Sequence, residues 1–445
     1  MKRRWSRIFS LSLALPLLLG ILAACGSGTQ GNQPAGATAS TKGSTTIEIG
    51  SDFPTSGKDE SAGKPSENGA ALAVQIANEK NLVPGYKFTF VPKDDVGPSG
   101  SHDAATGQKN VQDLIGDALV AGIVGPLNSS VAISELGVTN QAPIALISPA
   151  NTNDCLTQTT PENLCGGSNN KLSTYRPTGK VTYFRIATLD QHQGGILADF
   201  AYQQKGYRKA YIVDDTETYG AGIANAFETE WKKDNGVVLG HDSLAPTTTS
   251  YINLLTKIAS TKPDVIFFGG NDSTGGIAIR QQMEQVPALK NTPMMAGDGT
   301  QTSAFARTIG HVGGPVFTSV ASVNAEALST SKDFFTAYAA KYGQNNIGSY
   351  SAGSYDCAMI IIDAIKAALA QGVSTPKDSS DATGAQTFRQ AVIDQIQKID
   401  YSGVTGHHTF DQNGDTTNKI ISIYTIGKDV NQGDGWDFLT QLTVK

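Results

Sequence analysis

An α/β fold of two lobes, each a parallel sheet flanked by helices, is what this sequence predicts, and three observations predict it. From Ile47 onward, short apolar runs of strand length alternate with segments of helical period, the grammar of βαβ units. The alternation breaks off in the turn-rich stretch 161–180 and then starts again, so a second sheet is expected and not an extension of the first. Acids, hydroxyls and amides gather just after the apolar runs in both halves, at the carboxyl edge where open α/β sheets bind ligands. A chain of 445 residues is long enough for more than one domain, and its formal net charge of -6 offers nucleic acid no basic field.

The first residues are not part of either lobe. Lys2, Arg3, Arg4 and Arg7 precede the apolar stretch 8–22, the layout of an export signal, and that stretch contains Pro16 and is short for a membrane span. It ends in Leu22-Ala23-Ala24-Cys25, which resembles the lipobox of bacterial lipoproteins. That resemblance implies a signal peptide over 1–24 and a lipid on Cys25. The Gly/Ser/Thr-rich segment 25–46 then reads as a flexible tether.

In the first half, strands are expected at Thr46–Ile49, Lys87–Val91, Leu119–Val124 and Ile144–Ile147, with helices at Glu67–Glu79, Asp103–Ile115 and Val131–Thr139. The stretch from Ala118 to Asn153 is the most informative. Its apolar run closes at Gly125-Pro126, and Asn128, Ser129 and Ser130 then stand where a helix should start and suit a cap. A helix N-terminus at a sheet edge is a ready place for a carboxylate. The next run ends in Ser148-Pro149-Ala150-Asn151-Thr152-Asn153, a second polar turn beside the first. Cys155 and Cys165 bracket the loop that follows, and in an oxidising compartment so close a pair suggests a disulfide. Cys357 lies in an apolar run and reads as a small core residue.

The second half repeats the pattern, with strands at Ala210–Val213, Val237–Leu239, Val265–Phe268, Met294–Met295 and Val316–Ser319. Helices are expected at Gly194–Gln204, Ile223–Lys233, Tyr251–Ser260 and Gly276–Gln285. Three more follow, at Lys332–Tyr342, Tyr355–Ala370 and Gln386–Ile399, and a hairpin over Gly406–Ile426 turns at Gln412-Asn413-Gly414-Asp415.

Enzyme signatures do not hold up. Gly57-Lys58 and Gly179-Lys180 lack the rest of a phosphate loop, and neither H-E-x-x-H nor G-x-S-x-G occurs. Asp411–Asp415 begins like a calcium loop, but Thr416 and Ser422 stand where Gly and Glu are needed. No enzyme activity, cofactor or metal is expected.

Five segments, in this order, carry a family resemblance: FPTSGKDESAG, VGPLNSS, ISPANTN, VDDTETYGAGIAN and AGDGT. They resemble the extracytoplasmic substrate-binding proteins of branched-chain amino-acid ABC transporters, of the type I periplasmic-binding fold. The resemblance implies two Rossmann-like lobes joined by a multi-strand hinge, with ligand in the interlobe cleft. Residues 47–187 and 321–403 would form lobe I, and 188–320 and 404–445 lobe II. It assigns Ser129 to the ligand α-carboxylate, and Ala150 and Thr152 to backbone and hydroxyl contacts with the head group. Tyr219 would close over the ligand, and Asp298 would pair its ammonium. Two positions depart from the family pattern. Ala62 replaces an aromatic expected over the ligand side chain, and Asn271, followed by Asp272, stands where a Tyr is common. A polar amino acid or an amide therefore suits the pocket at least as well as leucine, isoleucine or valine. The implied protein is a monomeric exported receptor, lipid-tethered through Cys25, that hands an amino acid to membrane permease subunits. An amide, urea or small-carboxylate receptor, or a ligand sensor serving a signalling partner, would use the same cleft.

Overall fold

The computed structural model describes residues 45–159 and 172–444. The signal peptide, Cys25, nearly all of the tether and Cys165 lie outside them. Strands β1 (Thr45–Phe53), β2 (Tyr86–Asp94), β3 (Val120–Val124), β4 (Ala145–Ser148) and β5 (Tyr183–Arg185) form one sheet in the order β2-β1-β3-β4-β5. Every pairing in it is parallel. All five residues of β3 are buried, as a strand covered on both faces requires. The helices that follow these strands are α1 (Glu60–Glu79), α2 (Ala104–Gly116), α3 (Ser129–Gln141) and the single turn α4 (Leu172–Tyr175).

Helix α1 starts a full two turns before the expected Glu67. Pro65 sits in the second turn of the helix and costs it only the bond its missing N–H would have made. The first turn of this early start passes close to the end of β1. A Cβ on Gly63 would lie 1.9 Å from the Pro54 carbonyl oxygen, so only glycine permits so close an approach. The added turns carry Ser61 and Ala62 to the sheet edge.

The second sheet has the order β14-β13-β10-β9-β8-β6-β7. Its strands are β6 (Lys209–Asp214), β7 (Val237–Ser243), β8 (Val265–Gly269), β9 (Met294–Ala296), β10 (Val316–Val320), β13 (Ile420–Ile426) and β14 (Trp436–Thr443). The last two are antiparallel additions at one edge. Helices α5 (Asp190–Asp199), α6 (Thr218–Lys233), α7 (Ile252–Thr261), α8 (Ile277–Met283) and α9 (Ser303–Ile309) belong to this half. After it come α10 (Lys332–Tyr342), α11 (Ser351–Ala370) and α12 (Ala382–Ile396), then the small pair β11 (Tyr401–Gly403) and β12 (Gly406–His408).

Two cores result. Helix α11 returns to the first sheet and buries Cys357, Ile360, Ile361, Ile362 and Ile365 completely against β1, β3 and β4 residues. Each such isoleucine contributes about 1.5–3 kcal/mol by leaving water. Phe227, Trp231 and Phe267 anchor the second core, with the Phe227 and Phe267 rings stacked 4.0 Å apart. Where the chain passes between the sheets, Thr188 N donates to Ala321 O at 3.1 Å, tying two crossings together.

The expected hairpin over Gly406–Ile426 does not form as one unit. Gly406–His408 pairs with Tyr401–Gly403, whereas Ile420–Ile426 joins the second sheet beside β10. Between them Phe410 packs on Phe184 at 5.0 Å and Asp415 pairs with Arg185, both on the first sheet. The alternation of apolar residues marks both arms as strands but says nothing of which neighbour each chooses. Asp411 Oδ1 accepts from the N–H groups of Asn413 and Asp415, an Asx-type turn. His408 is buried and bonded to Thr405 and Thr416.

Candidate functional site

The carboxyl edges of the two sheets meet at a cleft holding ≈ 610 Å³ of open space, counting its mouth. Ser129, Ala150, Thr152, Tyr219, Asn271 and Asp298 all line it, as does Ala62. The strand-end acids of the first half and Asp214 do not.

One wall comes from the first half. Ser129 is the first residue of α3 and is buried, and Asn128 is its N-cap residue with an extended backbone. The Asn128 side chain makes no capping bond, contrary to expectation, and its Oδ1 is buried without a partner. The N–H groups of the first turn have no partner within the helix, and Ser129 is the residue of that turn that lines the cleft. The neighbouring loop is held rigidly. Ser148 Oγ accepts from Ala150 N (3.2 Å) and Asn151 N (2.9 Å) and donates to Pro126 O (2.7 Å). Asn151 Nδ2 donates to Leu127 O at 2.7 Å, and Tyr183 Oη to Asn151 Oδ1 at 2.9 Å. Beneath them the fully buried Arg185 pairs with Asp415 at 2.6 Å and donates to Asn153 O at 2.7 Å. Thr152 ends up buried, with no good hydrogen bond for its own hydroxyl.

The second half supplies the other wall. Asp298 follows β9, and its two oxygens each accept a tyrosine hydroxyl: Tyr219 Oη at 2.9 Å and Tyr350 Oη at 2.9 Å. Tyr219 Oη in turn accepts from Gly299 N at 3.1 Å. Burial raises the Asp298 carboxyl, against the pull of the bonds from Tyr350, Gln193 and Tyr219. Asp272 also lines this wall, between Asn271 and Ser273, and burial pushes it up to about 7.

A bridge closes the two walls at the rim. His102 Nδ1 lies 3.0 Å from Asp59 Oδ2 and Nε2 lies 2.8 Å from Glu217 Oε2. Asp59 and His102 belong to the first half and Glu217 to the second. Both partners only accept, so the ring carries both protons. Burial opposes that charge, yet the two carboxylates hold His102 well above its ordinary value. Asp59 is drawn down by the same contact although burial works to raise it. Asn153 Nδ2 adds a second link, to Thr218 O at 2.8 Å.

The unused strand-end acids lie behind the first wall. Asp52 and Asp95 are fully buried together with Glu135 of α3, and neither oxygen of Asp95 or Glu135 has a hydrogen bond of good geometry. Burial raises Asp52 to about 7, and Asp95 and Glu135 well above the carboxylate range. Asp214 is taken up by His241 and Ser243. Tyr350 was missed by sequence reasoning, because a lone Tyr before a helix carries no signal. Asp59 and His102 were missed as well, since they are far apart in sequence and meet only in the fold.

Residues 46–431 match the family model described as periplasmic binding protein. The chain belongs to that family. A Leu/Ile/Val-binding protein of Rhizobium johnstonii is 26% identical to it over 380 residues, covering 85% of this chain and 91% of the relative. Among solved structures, a leucine-binding protein from Thermotoga maritima superposes with a TM-score of 0.72 at 20% identity, over 89% of this chain and 99% of that one. A solute-binding protein of an ABC transporter from Rhodopseudomonas palustris, in complex with p-hydroxybenzoic acid, gives 0.71 at 17% identity, over 89% and 97%. These neighbours share the two-lobed type I fold. Periplasmic binding proteins are exported, non-enzymatic ligand binders, and this chain is one of them. Among the described residues, no helix is long and apolar enough to cross a membrane.

Proposed function

We propose that this periplasmic binding protein carries an α-amino acid to its permease. One observation supports the reading most: the two walls offer opposite chemistry across a single cavity. On one side stand Ser129 and the open first turn of α3, donors for a carboxylate. On the other stands Asp298, oriented by two tyrosine hydroxyls and ready for an ammonium. Ala150 and Thr152 line the same first wall beside Ser129. Ligand held by both walls favours the closed form, the hinge closure of this class of protein. The lipid on Cys25 and the tether 25–46 would keep the protein beside its permease, as a monomer. A Cys155–Cys165 bond would pin the loop after the Thr152 turn.

The p-hydroxybenzoate complex of a structural neighbour supports a second reading, an aromatic carboxylate that uses the α3 terminus and leaves Asp298 idle. A thermal-shift screen of the purified protein against amino acids, short amides and benzoates separates the two. A ligand present at ~100 times its dissociation constant stabilises the fold by ~2.7 kcal/mol. Hits among α-amino acids are expected. Hits confined to benzoates or amides would sink the amino-acid assignment.

A further inference from the structure

The cavity contains two acids that no cation in the protein balances. Asp298 is one. Asp272, just beyond β8, is the other: it is buried, and its Oδ2 accepts from Thr302 Oγ1 at 2.5 Å. Thr302 Oγ1 also accepts from Phe305 N at 3.0 Å, so the hydroxyl that orients Asp272 is itself fixed by the start of α9. Among the described residues neither Asp272 nor Asp298 makes an ion pair, and no Lys, Arg or His lines the cavity. Asp59, the third acid of the lining, differs because His102 neutralises it.

An uncompensated buried carboxylate is costly. One such group is accounted for by the ligand ammonium at Asp298; the second asks for another positive group. The surroundings of Asp272 are shaped for one. Ala62 and Asn271 leave out the aromatic walls of the family pattern, and the Ser61 hydroxyl and Ser273 N–H both turn to the Asp272 carboxylate, holding it in place. Asn128 Oδ1, nine-tenths buried on the facing wall, is a further acceptor with no donor.

We infer that Asp272 receives a cationic ligand side chain, so that the cargo is a basic amino acid such as lysine, ornithine or arginine. The inference rests on the amino-acid reading of the same cleft and adds its side-chain class. The two carboxylates then share the work: Asp298 takes the α-ammonium, and Asp272 the distal ammonium or guanidinium through charge-assisted hydrogen bonds.

Calorimetric titration of the purified protein with lysine, ornithine, arginine, leucine and glutamine at pH 8 tests it. The basic amino acids are expected to bind at least ~10-fold tighter than leucine. Asp272→Asn should cost lysine ~10- to 100-fold and raise leucine relative to lysine, so that the order of the two inverts. Thr302→Val, which frees Asp272 to turn, should move the ratio the same way by a smaller factor. A circular-dichroism melt confirms that each variant is folded before it is titrated. Leucine, isoleucine or valine binding tightest, with an unchanged ratio in Asp272→Asn, would overturn the inference and leave the amino-acid reading standing. Binding by no α-amino acid at all would remove that reading, and this one with it.

Discussion

The two walls of the cleft are built on opposite principles. The first-half wall recognises with backbone and small hydroxyls, Ser129 and Thr152, on a loop pinned by Ser148, Asn151 and the buried Arg185. The second-half wall recognises with charge: Asp298 between two tyrosine hydroxyls, and Asp272 on Thr302. A dipolar ligand needs both at once, and neither sheet alone can satisfy it. The difference explains why such a site sits between lobes: separation keeps the acids apart from the helix terminus that would otherwise attract them. Closure then brings the two charge preferences to bear on one molecule.

The largest effect should come from disabling the charged wall. Asp298→Asn leaves the tyrosine hydroxyls in place but removes the partner of a desolvated ammonium. We expect a loss of about 3 kcal/mol, ~100-fold in dissociation constant, by isothermal titration calorimetry. An effect under a few-fold would mean that this wall does not read an ammonium.

The rim bridge that joins the walls comes next. His102 faces Asp59 and Glu217 directly, with the Asp95 and Asp103 carboxylates in its field. Its folded-state pKa lies above the unfolded value of about 6.5. Its stabilisation is therefore fully present below pH ~6.5 and is lost as pH rises through the raised folded value. The stability difference between wild type and His102→Gln should be about 3 kcal/mol near pH 6 and shrink in alkaline buffer, read from urea melts at a series of pH values. A difference that is flat or grows with pH would mean the bridge is not ionic.

The uncharged wall should give the smallest change. Ser129→Ala removes one hydroxyl donor to a carboxylate and leaves the helix N–H groups, so a cost of about 1.5 kcal/mol, ~10-fold in affinity, is expected from the same titration. A loss as large as that of Asp298→Asn would erase the contrast between the walls.

Much of this was legible from the sequence, for reasons that differ by element. The strands β3 and β8 and the run into β4 are nearly continuous apolar stretches, and burial on both faces of a parallel sheet leaves that mark directly. The cavity residues Ser129, Ala150, Thr152, Tyr219, Asn271 and Asp298 each sit one turn beyond such a run or at the helix start after it, so the edge that holds them could be read in advance. Three things could not. The early start of α1 was not visible because Pro65 interrupts its helical pattern and the close approach of Gly63 to Pro54 is a tertiary fact. The fate of the Gly406–Ile426 arms depended on which sheet had a free edge. Asp59, His102 and Glu217 look like surface charges in sequence, and they become a bridge only when the halves meet.

The measurement that bears most directly on the account uses the amino acid that binds tightest, its deaminated acid and its decarboxylated amine. All three are titrated into the purified protein under one buffer. If the two walls read the two ends of one zwitterion, each analogue binds at least ~100-fold more weakly than the parent. A deaminated acid that binds as tightly as its parent would show that the acidic wall is not engaged, and the account would be wrong.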